Sequence, residues 1–115
     1  MSQHMIEVLE GVREKVKQGW TQGAMARLEN GEPTYSCDPD ATSWCLRGAC
    51  YSAAFEVAGN FDSLEELTDI IRTYLIQNTD SDNGFLMNYN DDVARTDQQE
   101  IVNLITGVIE EYKDN

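Results

Sequence analysis

The sequence predicts an all-α fold: one compact domain built as a bundle of about four main helices with short loops. Three observations predict it. Apolar residues recur at helical spacing in separate segments of the chain. The segments are bounded by caps, prolines and glycines that start or stop helices. The 115 residues contain no repeat, low-complexity tract or linker that would divide them. Residues 1–115 therefore read as a single helical domain, with ends at 1–4 and 113–115 expected to fray.

Each element follows from its residues. Met5, Leu9, Val12, Val16 and Trp20 recur at spacings of four and three, with Glu10, Arg13, Glu14 and Lys17 on the opposite face, so a helix is predicted over 5–18. Gly19 ends or bends it. Thr21 to Glu29 is readable either as a short helix or as an extended piece. Asn30-Gly31 marks a turn, and Pro33 to Cys37 reads as loop. Asp38-Pro39-Asp40 has the form of a helix start, with an acid at the cap and Pro at the first position; the helix would run to about Val57 and stop at Gly59-Asn60. Its Gly48, Ala49, Ala53 and Ala54 are small, so another element can approach its backbone closely. Ser63-x-x-Glu66 has the form of a capping box ahead of Leu64, Leu67, Ile70, Ile71, Tyr74 and Leu75, a helix to about Gln77. Asn78 to Gly84 is polar loop. Phe85-Leu86-Met87 is an apolar plug, either a helical turn or a strand. Thr96-x-x-Gln99 is a second capping box, and Ile101, Leu104, Ile105, Val108, Ile109 and Tyr112 give the core face of a last helix over 97–112.

Charge restricts the function. The net charge is −13, and thirteen of the 21 acidic residues lie between Gly48 and Tyr112, where only Arg72 and Arg95 are basic. Solubility of a small domain needs only roughly 2–8 net charges. A surface this negative repels nucleic acid and anionic membrane, leaving a protein or small-molecule partner. A salt-adapted host is the plain alternative account of the acidity. Three cysteines, Cys37, Cys45 and Cys50, cannot all pair, which points to a reducing compartment. No stretch approaches the roughly 18 apolar residues that span a bilayer, and Met1 to Glu10 lacks the pattern of a signal peptide. The expectation is a cytoplasmic protein of a bacterium or a phage-infected cell, without a cofactor.

The chemistry-bearing motifs are few. The cysteines lack CxxC spacing and His4 is the lone histidine, so no zinc site and no metal ligand is assigned; buried thiols among helix alanines are the plain reading. Asp80-Ser81-Asp82-Asn83-Gly84 resembles the start of an EF-hand loop, but with Gly84 as sixth residue the register puts Thr79 first and Asn90 twelfth, where Asp and Glu belong. Cys45, near a helix start, lacks a histidine base to make it a nucleophile. No catalytic residue is assigned.

Three candidate functions remain. One is a non-enzymatic binding module whose ligand-binding residues are Trp20, Gln22, Trp44, Asn90, Asp91, Arg95 and Thr96: two indoles and an amide as walls, and a lone cation in an anionic stretch. Its plain alternative is core anchoring by the tryptophans and a loop clamp at Arg95. A second is a phage-type inhibitor that mimics DNA charge through Asp62, Glu65, Glu66 and Asp69, aligned on one helix at spacings of three and four; its plain alternative is a solvated helix face. The third is a carboxylate- and Mg²⁺-dependent enzyme using Asp80, Asp82, Asp91 and Asp92.

Read together, Trp20-x-Gln22-Gly23-Ala24-x-Ala26-Arg27, then Asp38-Pro39-Asp40-Ala41 with Trp44-Cys45-x-x-Gly48-Ala49, then Asn90-Asp91-x-x-x-Arg95-Thr96, are a motif order that resembles a family of short bacterial and phage proteins, a domain of unknown function. The resemblance covers about residues 5–112. The family pattern commonly has Gly where Ala94 stands, and a bulkier aromatic where Tyr89 stands. The resemblance implies an intracellular single domain whose motif residues share one neighbourhood; it implies no reaction.

Overall fold

The computed structural model describes residues 3–78, 86–91 and 96–114. The chain order is α1 (Gln3–Gln18), β1 (Ala26–Leu28), β2 (Pro33–Thr34), β3 (Ala41–Trp44), α2 (Leu46–Ala58), α3 (Leu64–Asn78), α4 (Leu86–Asn90) and α5 (Gln98–Asp114). Four long helices are present as the periodicity predicts. The fold is not purely all-α, because a small three-stranded antiparallel sheet of order β2-β1-β3 lies between α1 and α2 in the sequence.

α1 is central. Its Met5, Val8, Leu9, Val12 and Val16 are buried, and it packs chiefly against α2 and α5. α5 contributes Ile101, Leu104, Ile105, Val108 and Ile109, and α3 contributes Leu67, Ile71 and Leu75. These are the faces that the 3.6-residue period marks out. The α1–α5 pair is also joined by Gln98, whose Nε2 donates to the Val16 carbonyl at 2.7 Å and so satisfies an acceptor in the last turn of α1.

The largest departure from expectation is at 38–45. Asp38-Pro39-Asp40 does not start a helix. Asp38 Oδ1 accepts from the Asp40 N–H at 2.9 Å, and its Oδ2 accepts from the Thr34 hydroxyl at 2.5 Å. These two bonds, Thr34's foremost, hold the Asp38 carboxyl below its ordinary range. The side chain that would cap a helix instead closes an Asx-type turn, the competing use of the same acceptor. Ala41 to Trp44 then extend as β3, and α2 starts at Leu46 with Cys45 as its cap. The sheet resolves the ambiguous 21–29 segment as extended. β1 pairs β2 at Ala26↔Thr34 and Arg27↔Pro33, and pairs β3 at Ala26↔Trp44 and Arg27↔Ser43, with a register shift between Arg27 and Leu28. Gly31, at φ 89°, closes the β1–β2 hairpin in the left-handed region; its N–H donates to Leu28 O at 2.9 Å, so Asn30-Gly31 is the predicted turn.

Two caps also differ in detail. Ser63 accepts from the Leu67 N–H through its backbone carbonyl, at 2.9 Å, while its buried Oγ has no partner among the described residues. The capping box there is not formed. At α5 the cap is Asp97, whose Oδ1 accepts from the Glu100 N–H at 2.9 Å. The frame is one residue later than Thr96-x-x-Gln99, and Thr96 is buried behind it. Leu86 is buried at the start of α4, a helical turn rather than a strand; Phe85 lies outside the described residues. Among the described residues no helix is long and apolar enough to cross a membrane.

The small residues of α2 do allow close approach. A Cβ on Gly48 would sit 1.9 Å from the Met25 carbonyl oxygen, and one on Gly11 of α1 would sit 3.2 Å from the Ala53 Cβ. Gly48→Ala should lower unfolding free energy by at least about 2 kcal/mol, because backbone rather than a side-chain tip must move. Urea unfolding followed by circular dichroism checks this.

Candidate functional site

Trp20, Gln22, Asn90 and Asp91 converge, and Asn90 is where they meet. It stands at the end of α4 and is 0% exposed. Its Oδ1 accepts from Trp20 Nε1 at 2.6 Å and from the Leu46 N–H at 2.9 Å. Its Nδ2 donates to the Thr21 carbonyl and to Asp91 Oδ1, both at 3.0 Å. A side-chain amide has two acceptor and two donor positions, so all are used internally. Gln22 Nε2 donates to the Asn90 carbonyl at 2.9 Å, and Asp91 Oδ1 also accepts from the Gly23 N–H at 3.1 Å. The Trp20-x-Gln22-Gly23 motif is thus stitched residue by residue to Asn90-Asp91.

Trp44 belongs to the same neighbourhood through its backbone. It bridges Trp20 in parallel, with Trp44 N–H to Gly19 O at 3.0 Å and Thr21 N–H to Trp44 O at 3.1 Å. Its indole points elsewhere: it is buried, donates to Ser36 O at 3.0 Å, and carries Lys15 Nζ 4.6 Å from its ring centroid. Thr96 is buried ahead of α5, and its Oγ1 makes no hydrogen bond among the described residues. Arg95 lies outside the described residues, as do Asp80, Asp82 and Asp92 and the 79–84 segment with the EF-hand resemblance. Arg27, the last residue of the first motif, proves to be a second fastener. It donates to Thr21 Oγ1 at 2.8 Å, Gly31 O at 2.9 Å and Gln22 O at 3.0 Å.

The open concavity lies elsewhere. A cleft of about 610 Å³ runs between α3 and α5. Glu65, Glu66 and Asp69 of α3 line one side together with Asp62, which precedes the helix rather than lying on it as its spacing suggests. Glu111 of α5 adds a fifth carboxylate, while Tyr74, Tyr112, Ile70 and Val108 supply aromatic and apolar surface. No basic residue lines it among the described residues; Arg72 pairs with Asp69 at its margin. Tyr74 lies against α5 at Gly107, where a Cβ would come 2.1 Å from the Tyr74 oxygen. Sequence spacing shows the α3 acids but not Glu111 or Tyr112, which join only because α5 packs alongside. The sole sequence signal for that approach is Gly107 within the apolar repeat of α5.

The cysteines are free thiols. Cys45 caps α2, its Sγ accepting from the Gly48 N–H at 3.2 Å. Burial pushes its thiol up and outweighs that bond and the Arg47 N–H. Burial also raises Cys50 strongly. Neither supplies a ready thiolate nucleophile. Among the described residues no three His, Cys, Asp or Glu are grouped to hold a metal ion.

A model of a family of unknown function (DUF6197) matches residues 1–111, and the chain belongs to that family. No curated protein and no solved structure matches it.

Two outcomes follow from this geometry. Asn90→Ala should destabilise the fold by about 3 kcal/mol, since it strands the Trp20 indole N–H, the Leu46 N–H and the Thr21 carbonyl together; thermal and urea unfolding measure it. At about pH 8, near the ordinary thiol pKa, Cys45 and Cys50 should resist a disulfide reagent until the protein is unfolded in denaturant. Absorbance of the released thiolate reads the reaction, with Cys37→Ser identifying the half-buried thiol's share.

Proposed function

We propose that this family member is a small, non-enzymatic, acidic binding module, and that the α3–α5 cleft receives the cationic side chains of a protein partner. One observation carries the reading: five carboxylates, one of them paired with Arg72, line a single concave surface whose described lining residues include no cation. Carboxylates held together raise the local negative potential, and a concave, partly apolar wall focuses it. Lysine or arginine side chains satisfy such a site in two ways. Their heads meet carboxylates, and their stems lie along Tyr74, Tyr112 and Ile70. Asn90 has no hydrogen-bonding position left for a ligand. The Trp20–Asn90 neighbourhood therefore serves as the fastening of the module rather than its mouth.

The run Asp62, Glu65, Glu66, Asp69 also fits a narrower reading, in which the basic partner is a DNA-binding protein and α3 imitates a row of phosphates. All four acids are exposed and face one cleft. A site in the reducing cytoplasm, in a bacterium or a phage-infected cell, accords with three free thiols.

The test is fluorescence anisotropy with a labelled lysine-rich peptide. Glu65→Lys with Asp69→Lys should weaken binding at least about tenfold, and raising salt should do the same to wild type. Glu29→Lys with Glu32→Lys, on the distant β1–β2 hairpin, changes net charge identically and should have a much smaller effect. Equal losses from the two pairs would mean that only overall charge matters and would sink the cleft as a site.

A further inference from the structure

We propose that the exposed aromatic corner beside the cleft is the apolar half of the same docking surface, and that its occupant is a basic protein segment carrying an apolar residue next to its cationic ones. The inference rests on the reading of the cleft just given. Phe55 on α2 and Phe61 in the α2–α3 connection are 45% and 44% exposed. Their ring centroids are 5.4 Å apart, and Phe61 meets the Tyr51 ring at 5.7 Å. Tyr51 and Phe55 are one helical turn apart and so share a face of α2. Single exposed apolar residues are ordinary; Phe61 with Tyr51 and Phe55 against it is a patch.

The patch borders the cleft in the chain: Phe61 immediately precedes Asp62, which is one of the cleft's lining residues. The corner also shows that it tolerates a cation: Arg47 lies 5.7 Å from the Tyr51 centroid. Charge selects among occupants. A second copy brings the same −13 charge, and pairing these faces would set two acidic clefts against each other. An anionic lipid surface is repelled for the same reason. A basic segment gains from the carboxylates, and its apolar residue gains by covering Phe55 and Phe61.

The test uses two short labelled peptides of equal length and charge, one of Lys and Leu, the other of Lys and Ser. Wild type should bind the Lys/Leu peptide roughly tenfold more tightly, the scale of one apolar side chain leaving water. Phe55→Ser with Phe61→Ser should remove that difference and leave Lys/Ser binding unchanged. Backbone amide shifts at Phe55 and Phe61 on adding the Lys/Leu peptide to wild type give the same answer without any variant. Equal affinity for both peptides overturns this inference and leaves the acidic cleft standing. Failure to bind either overturns both. A dimer in sedimentation that the Phe55/Phe61 pair of substitutions dissolves would make the occupant a second copy, and the proposal would fall.

Discussion

The side-chain amide of Asn90 is the interaction on which the arrangement of the chain depends. It joins the segment after α1, the first turn of α2 and the end of α4 through four hydrogen bonds from a fully buried residue. A buried amide is costly when any of its positions is unmet and specific when all are met. It therefore fixes register where apolar packing alone would not: Trp20, Thr21 and Leu46 must each be within about 3 Å of one side chain. The small sheet inherits its place from this. Trp44 pairs with the backbone on either side of Trp20, and β1 lies between β2 and β3.

Close backbone approach is the second constraint, and it explains the composition of α2. Its small residues are not merely permissive. Met25 O lies where a Gly48 side chain would be, and Thr42 O lies 2.2 Å from where a Gly19 Cβ would be. The loop carrying the sheet is pressed against the start of one helix and the end of another. Cys45 fits the same logic. As the cap of α2 it offers sulfur to the Gly48 N–H, a weak acceptor tolerated because the site is buried and crowded. Trp20, Gln22, Asn90 and Asp91 are thus engaged in holding the fold.

The proposed docking face lies on α3 and α5. The α3 acids stand on the solvent side of a helix whose Leu67, Ile71 and Leu75 are fully buried. Neither the core nor the caps need four carboxylates in one row; Ser63 meets Leu67 with its backbone alone. Their concentration on one wall, with Tyr74 and Tyr112 also lining the cleft, gives this face both negative charge and aromatic surface.

The sequence by itself determined the four long helices, because a period of 3.6 in apolar residues is a local property that burial then rewards; α1, α3 and α5 follow it closely. It also determined the Asn30-Gly31 turn and the Gly59 stop, where left-handed backbone is needed; the family resemblance implied one neighbourhood for Trp20, Gln22, Trp44, Asn90, Asp91, Arg95 and Thr96, of which side-chain hydrogen bonds join Trp20, Gln22, Asn90 and Asp91. Tertiary structure decided the rest. Asp38-Pro39-Asp40 is equally good as a helix cap or as a turn; Thr34, brought alongside, and the pairing of Trp44 with Ala26 chose the turn and the strand. Three short strands of two to four residues carry no period of their own, so the sheet exists only through its partners. The cleft likewise needs Glu111 and Tyr112 to lie opposite the α3 acids, some forty residues away in the chain. Spacing along one helix can align charges, but only the packing of two helices makes a concave site of them.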